Sequence, residues 1–230
     1  TILPGEGKEL IVEKLIDHAL HILAGQRIKD VRAGLGYTCV LLDDDTAGLA
    51  YTFRNEMGYG CGIINEAGTL IGKTAGEIIP WAKNEHRLKA AIGLATLNAI
   101  INNVPGLNWV TGNVADAINI SENDTLGMVG EFPPILMNAG KKTQKVFVFE
   151  LDPPEGSGIY PSESIPHHLP ECNVVVLTAT SIINHTIDDI IPHCRNAREV
   201  CIVGASTPLC PDVFRDYNVT TLAGSIVLNT

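Results

Sequence analysis

The sequence predicts an α/β protein whose second half carries a mostly parallel sheet. Three observations predict it. Four apolar runs, DTLGMVGE (124–131), KVFVFEL (145–151), NVVVLTATS (173–181) and EVCIVGAST (199–207), each lead into a polar or glycine-rich corner. Such unbroken runs suit strands buried on both faces, where a half-exposed strand would alternate. The stretches between them read as helical or loop crossovers, whereas the first half reads helix, hairpin, loop, helix. The change of grammar falls near residues 105–120, so the chain divides into residues 1–108, an α+β unit, and residues 109–230.

The elements follow in order. KELIVEKLIDHALHILA (8–24) is an amphipathic helix, with Ile11, Leu15, His18 and Ile22 on one stripe and Val12, Ile16, Ala19 and Leu23 on the next. Gly25 stops it. IKDVRAGLGYTCVLL (28–42) and GLAYTF (48–53) are extended and flank DDDTA, a hairpin connector. Residues 54–80 are rich in glycine and receive no element. NEHRLKAAIGLATLNAIINNV (84–104) is a second helix, with Asn84 as N-cap and Leu88, Ala91, Ile92, Ala95 and Ala99 along one face. Pro105-Gly106 ends it. TLAGSIVLN (221–229) adds a last strand, with Gly224-Ser225 at a kink or close approach.

Composition narrows the function classes. The net charge is −10, which argues against a nucleic-acid partner, since phosphate binding needs a basic surface. No apolar run reaches the ~18 residues of a membrane span, and TILPGEGKEL lacks the pattern of a secretory signal. The six cysteines, Cys39, Cys61, Cys172, Cys194, Cys201 and Cys210, form no CxxC pair and read as reduced, buried thiols of a cytoplasmic protein. Whether the chain forms a homo-oligomer is left open.

Candidate chemistry collects at the strand ends, where open parallel sheets bind ligands. Gly130 and Glu150 have the spacing of the glycine turn and ribose-binding acid of a dinucleotide fold. The turn between reads GEFPP, however, and Pro133 and Pro134 supply no N–H to a pyrophosphate. NAD is therefore not expected, an adenosine-type or other heterocyclic ligand is compatible, and no cofactor is named. A solvated strand-end acid also explains Glu150.

TATSIINHTIDD (178–189) passes from strand to helix through Thr178, Thr180, Ser181, Asn184 and Thr186, with Thr186 and Asp189 in capping-box spacing. GASTPLCPD (204–212) repeats the theme, with Ser206 or Thr207 as cap and Pro208 in a first helical turn. Capping accounts for each corner singly; together the two corners predict a cradle for an anionic ligand. Asn98 falls on or beside the buried stripe of its helix and needs a partner. The histidines and cysteines match no zinc spacing, and Asp43-Asp44-Asp45 reads as turn rather than cation site. No protein metal site is therefore assigned. GYGCG (58–62) resembles a phosphate loop but lacks a flanking strand and helix, and reads as a loop over a cleft.

VVVLTATSIINHTIDDII, VCIVGASTPLCPDVF and TTLAGSIVL resemble a domain family of unknown function connected with heavy-metal chelation. YTCVLLDDDTAGLAYTF and KAAIGLATLNAI resemble its usual partner, an enolase-N-terminal-like domain. The resemblance implies an enolase-N-terminal-like domain followed by a Rossmann-like domain, with a ligand cleft between them. Carried onto this sequence, it implies cleft positions at Thr178, Thr180, Asn184, Gly204, Ser206, Thr207, Gly224 and Ser225. It sets Glu131 and Glu150 on the Rossmann side; Tyr37, Thr38 and Asn98 are our own candidates for the side opposite.

The leading expectation is an enzyme that condenses or hydrolyses a small anionic or heterocyclic compound, such as a pterin-, flavin- or siderophore-like chelator, with the metal bound by that compound. A buried Glu131 or Glu150 would be tuned for acid/base work. The alternatives are a metal carrier assembled from distant Cys and His, and a ligand sensor without turnover.

Overall fold

Asp188 and Glu13 set the start of the first helix. The Asp188 carboxylate accepts the Ile11 amide (3.1 Å), and Glu13 accepts that of Leu10 (3.1 Å). An acid at a helix start satisfies orphan N–H groups and meets the positive end of the dipole. In the computed structural model, which describes residues 9–56, 63–106, 109–143 and 145–229, α1 therefore spans Ile11–Ile22, inside the predicted range. It buries Ile11, Val12, Leu15, Ile16 and Ala19.

The first sheet is antiparallel, in the order β1 (Ile28–Ala33), β2 (Tyr37–Leu42), β3 (Ala47–Tyr51). The single extended segment expected over 28–42 is two strands. Its centre, Gly34-Leu35-Gly36, turns back, and the Gly34 amide donates to the Tyr37 carbonyl (2.8 Å). DDDTA is the expected hairpin turn: Asp45 has φ +65, and Asp44 Oδ1 accepts the amide and hydroxyl of Thr46. Tyr37 and Tyr51 are direct register partners, so both rings lie at one end of the sheet.

The glycine-rich stretch left unassigned contains a short helix, α2 (Ala75–Ile78), capped reciprocally by Thr74 and Glu77. GYGCG lies outside the described residues. Helix α3 (Arg87–Ile101) begins after His86 rather than at Asn84, whose side chain instead accepts the His86 amide (2.9 Å). The sequence suggested one apolar face, yet thirteen of its fifteen residues are buried, so it is a central helix enclosed all round. Small residues make that enclosure feasible. A Cβ on Gly93 would stand 2.1 Å from the Ala82 amide nitrogen, and one on Gly48 of β3 would stand 2.1 Å from the Ala95 carbonyl oxygen.

After α4 (Val114–Ala117) the chain builds a six-stranded sheet. Its elements are β4 (Thr125–Val129), α5 (Pro133–Ala139), β5 (Lys145–Glu150), β6 (Tyr160–Pro161), α6 (Ile165–His168), β7 (Val174–Thr178), α7 (Thr180–Ile183), α8 (Ile187–Ile190), β8 (Glu199–Val203), α9 (Pro211–Phe214) and β9 (Thr221–Ala223). The order is β6-β5-β4-β7-β8-β9, and every pair is parallel. Both faces are covered, as the unbroken apolar runs require. Leu126, Met128, Val174, Val176 and Cys201 pack one way with Ile118, Ile120 and Ile135. Val175, Leu177, Val200 and Ile202 pack the other way, in one core with α1 and α3.

Two local expectations are overturned. Thr186 makes no capping box; its hydroxyl and amide go to Asn184 Oδ1 (2.8 and 3.3 Å). Pro208 opens no helix, because α9 starts at Pro211 and residues 204–210 are non-helical chain. The last strand is also shorter than predicted and stops before Gly224, where a Cβ would stand 2.8 Å from the Thr207 carbonyl oxygen.

Candidate functional site

Strand order reverses between β4 and β7, so the crossovers leave opposite faces and the corners there diverge around a crevice. A hollow of about 680 Å³ opens at this place. It is lined by Gly130 and Glu131 after β4, Glu150 ending β5, Thr178, Thr180 and Asn184 after β7, and Gly204 and Ser206 after β8. Tyr37, Tyr51 and Phe53 of the antiparallel half close the opposite side.

The rim is held by its own hydrogen bonds. Glu150 Oε1 accepts the Glu131 amide (2.7 Å), tying the β5 end to the β4 turn. Gly130, at φ +86, makes that turn against Thr178; a Cβ there would lie 2.8 Å from Thr178 Cβ. The Thr178 and Thr180 hydroxyls pair at 2.9 Å, and the Thr180 amide also donates to Thr178 Oγ1 (3.3 Å). One mutual bond uses one hydroxyl proton and leaves the other for a ligand acceptor. Ser206 Oγ accepts the Tyr51 amide (2.8 Å), which leaves its own proton to donate.

The aromatic wall comes from the register of β2 and β3. Tyr37 meets Tyr51 edge to face at 6.5 Å, and Tyr51 meets Phe53 at 5.2 Å and 90°. Tyr37 is 53% exposed, a large ring offered to solvent at the hollow's mouth. Tyr51 and Phe53 were missed in the sequence. Their signal was the hairpin, which places Tyr51 beside Tyr37.

Five predicted positions stand elsewhere. Thr38 is fully buried against Thr52 (2.9 Å between hydroxyls). Asn98 is fully buried in α3 and donates to the carbonyls of Leu49 (2.9 Å) and Ser206 (3.1 Å). The Thr207 carbonyl accepts from Asn102 Nδ2 (3.1 Å), and its hydroxyl donates to the Ala223 carbonyl (3.1 Å). The Ser225 carbonyl accepts from Asn102 (3.4 Å), and Gly224 packs on Thr207. None of the five lines the hollow; Thr38 bonds within the antiparallel half, and the other four join or line the packed junction of the two halves.

The electrostatics differ from the expected anion cradle. Among the described residues the lining carries four carboxylates, Glu131, Glu150, Glu163 and Asp189, one imidazole, His193, and no Lys or Arg. The helix starts are not paired: the 178–181 corner opens only the single-turn α7, and the 204–210 corner starts no helix. Glu131 is exposed and Glu150 half-buried, so neither carboxylate has the burial expected of a tuned acid.

The family profile for DUF364, described as "Putative heavy-metal chelation", matches residues 113–230, about half of the chain. The chain belongs to the DUF364 family. A DUF4213 profile with the same description matches residues 14–101. An uncharacterized protein of Methanocaldococcus jannaschii is 24% identical over 96% of this chain and 88% of its own length. Two crystal structures of DUF364 proteins of unknown function share the fold. The Desulfitobacterium hafniense protein has TM-score 0.76 and 23% identity over 93% of this chain and 85% of its own. The Pyrococcus horikoshii protein has TM-score 0.77 and 22% identity over 93% and 87%.

The described donor set of this DUF364 chain does not suit a heavy-metal ion. Among the described residues, no three His, Cys, Asp or Glu side chains group so as to hold one. Soft metals favour thiolates. Here burial pushes the Cys172, Cys194 and Cys201 thiols up to about 12, and burial raises Cys210 as well. The described thiols are thus protonated at neutral pH, and no step is routed through a protein-bound metal. No described helix is long and apolar enough to cross a membrane.

Proposed function

We propose that the hollow is the binding site of a small heterocyclic molecule, and that the protein is an enzyme that condenses or hydrolyses a pterin-, flavin- or siderophore-like compound. Such a compound would bind the metal itself, which reconciles the family description with the poor donor set. The observation that carries this reading is the convergence of four strand ends and an aromatic wall on one space of about 680 Å³. The 3-2-1-4-5-6 strand order supports reading residues 109–230 as a Rossmann-like domain. The hairpin and enclosed helix agree with an enolase-N-terminal-like domain over residues 1–108, and the hollow then lies between the two domains.

In this reading Tyr37, Tyr51 and Phe53 take the face or edge of the ring, while Thr178, Thr180, Asn184 and Ser206 donate to its oxygens. Gly130 and Gly204 let backbone approach, and Glu150 or Glu131 moves a proton at a ring nitrogen or an attacking water. Asn98, Thr207, Gly224 and Ser225 act indirectly, by holding the two halves in register, and Thr38 by pinning β2 to Thr52 beside the aromatic wall.

Extraction of small molecules from freshly purified protein tests this directly. Mass spectrometry should find a heterocycle carried by the parent chain and depleted at least about tenfold by Tyr51→Ala, the loss expected when a stacked ring is removed. The isolated compound should be turned over by the parent and not by Glu150→Ala. Equal carriage by Tyr51→Ala removes the hollow from consideration, and equal turnover by Glu150→Ala removes Glu150.

A further inference from the structure

The turn after β4 has no amide to spare. The Glu131 N–H is taken by Glu150 (2.7 Å), and that of Phe132 faces Met128 Sδ (3.4 Å). Pro133 and Pro134 have none, and those of Ile135 and Leu136 both go to the Phe132 carbonyl (3.0 Å each). In a sheet with this strand order, this turn is where a bound phosphate would be cradled by free N–H groups. Among the described residues the hollow's lining carries these four carboxylates and no lysine or arginine, so a phosphate entering it meets a repulsion that the neutral Thr178, Thr180 and Ser206 hydroxyls do not offset.

The other part of such a site is intact. Glu150 ends the second strand of the sheet, the position from which an acid accepts hydrogen bonds from adjacent sugar hydroxyls. Among the described residues only its Oε1 is committed, which leaves Oε2 to accept from a ligand hydroxyl. Across the hollow, Tyr51 and Phe53 present rings suited to a planar partner.

Resting on the binding reading above, we infer that the ligand is a planar heterocycle bearing adjacent hydroxyl groups and no phosphate or other anionic substituent. The Glu150 carboxylate holds the diol, the aromatic wall holds the ring, and the rim carboxylates exclude phosphorylated analogues. A ribonucleoside and a polyhydroxyalkyl pterin share this chemistry.

Calorimetric titration separates the sources. Adenosine, guanosine and neopterin are compared with their diol-free counterparts, the two 2′,3′-dideoxynucleosides and 6-methylpterin, and with their monophosphates. At least one of the three should bind, with its diol-free and phosphorylated counterparts weaker by about tenfold or more, as expected for loss of a charge-assisted hydrogen bond or gain of a repulsion. Glu150→Gln, whose amide oxygen can still accept the Glu131 N–H, should erase the preference for the diol. Binding of a monophosphate or diol-free analogue as tightly as its parent overturns the inference, and so does absence of binding by all three. Both results leave the hollow's role to the extraction experiment. A Tyr51→Ala variant that binds every probe like the parent would instead overturn the underlying site.

Discussion

Gly130 combines a left-handed backbone, φ +86, with a side-chain position already filled by Thr178. Gly130→Ala should therefore cost about 1–3 kcal/mol in urea denaturation, from strain at φ and displacement of the threonine pair; an unchanged midpoint would contradict the geometry. Away from the hollow, the Arg198 guanidinium and then the Ser121 donors hold the Asp124 carboxyl down to about 2, from 3.8. A depressed folded-state value stabilises above the unfolded one, so this contribution is full above about pH 4 and is lost as pH falls toward 2. Asp124 is nearly buried but Arg198 is 44% exposed, and solvent screens the pair. Asp124→Asn should thus lose only about 1–2 kcal/mol at pH 7, and the gap to the parent should close near pH 2. The raised thiols make a third test. Cys172, Cys194, Cys201 and Cys210 should resist alkylation in the native state and react once unfolded, with mass spectrometry as readout. At this scale Glu150, Thr178, Thr180 and Gly130 were legible in the sequence, because strand-end position alone brings them to the crevice. Tyr51 was not, because its place follows from a register that no single residue encodes, and Ser206 and Thr207 look alike although only Ser206 reaches the hollow.

Helix α3 shows how far an element can be read from its pattern. Its alanine-rich run marked the helix, with ends at 84 and 104 outside the observed Arg87–Ile101, but suggested one buried stripe where nearly every side is enclosed. Small side chains carry little amphipathic signal, and their closeness to β3 and to residues 81–82 appears only in three dimensions. Gly48→Ala would drive a methyl into the α3 backbone and should destabilise by about 3 kcal/mol or more, measured by thermal and urea unfolding. The parallel strands were legible because burial on both faces leaves unbroken apolar runs. The two-residue β6 was not, being too short for any periodicity. At the 178–181 corner the expected helix is the single-turn α7, with the Thr180 amide accepted by Thr178 Oγ1, and at 204–208 no helix forms; the Ser181 and Thr207 hydroxyls bond to the Thr178 and Ala223 carbonyls rather than to helix amides.

At the scale of the molecule, polar contacts stitch the two sheets over one continuous core. Asp188 receives the start of α1, His185 Nε2 donates to the Ala82 carbonyl (3.0 Å), and Ser206 receives the Tyr51 amide. Asn102 does most, donating to the Thr207 and Ser225 carbonyls and accepting the Leu209 amide (2.7 Å). Asn102→Ala leaves these groups buried and unpaired, and should cost about 2–4 kcal/mol while unfolding stays a single transition; two separate melts would show independent halves. This junction fixes the distance between aromatic wall and strand-end rim, on which the proposed ligand site depends. Its direct test is a crystal of the protein soaked with neopterin, adenosine or guanosine at saturation. The account predicts ring density beside Tyr51 with hydroxyls at Glu150 and the Thr178–Thr180 pair; density in the apolar groove of Ile63, Ile71 and Leu88, or a hollow left empty by all three, would contradict it.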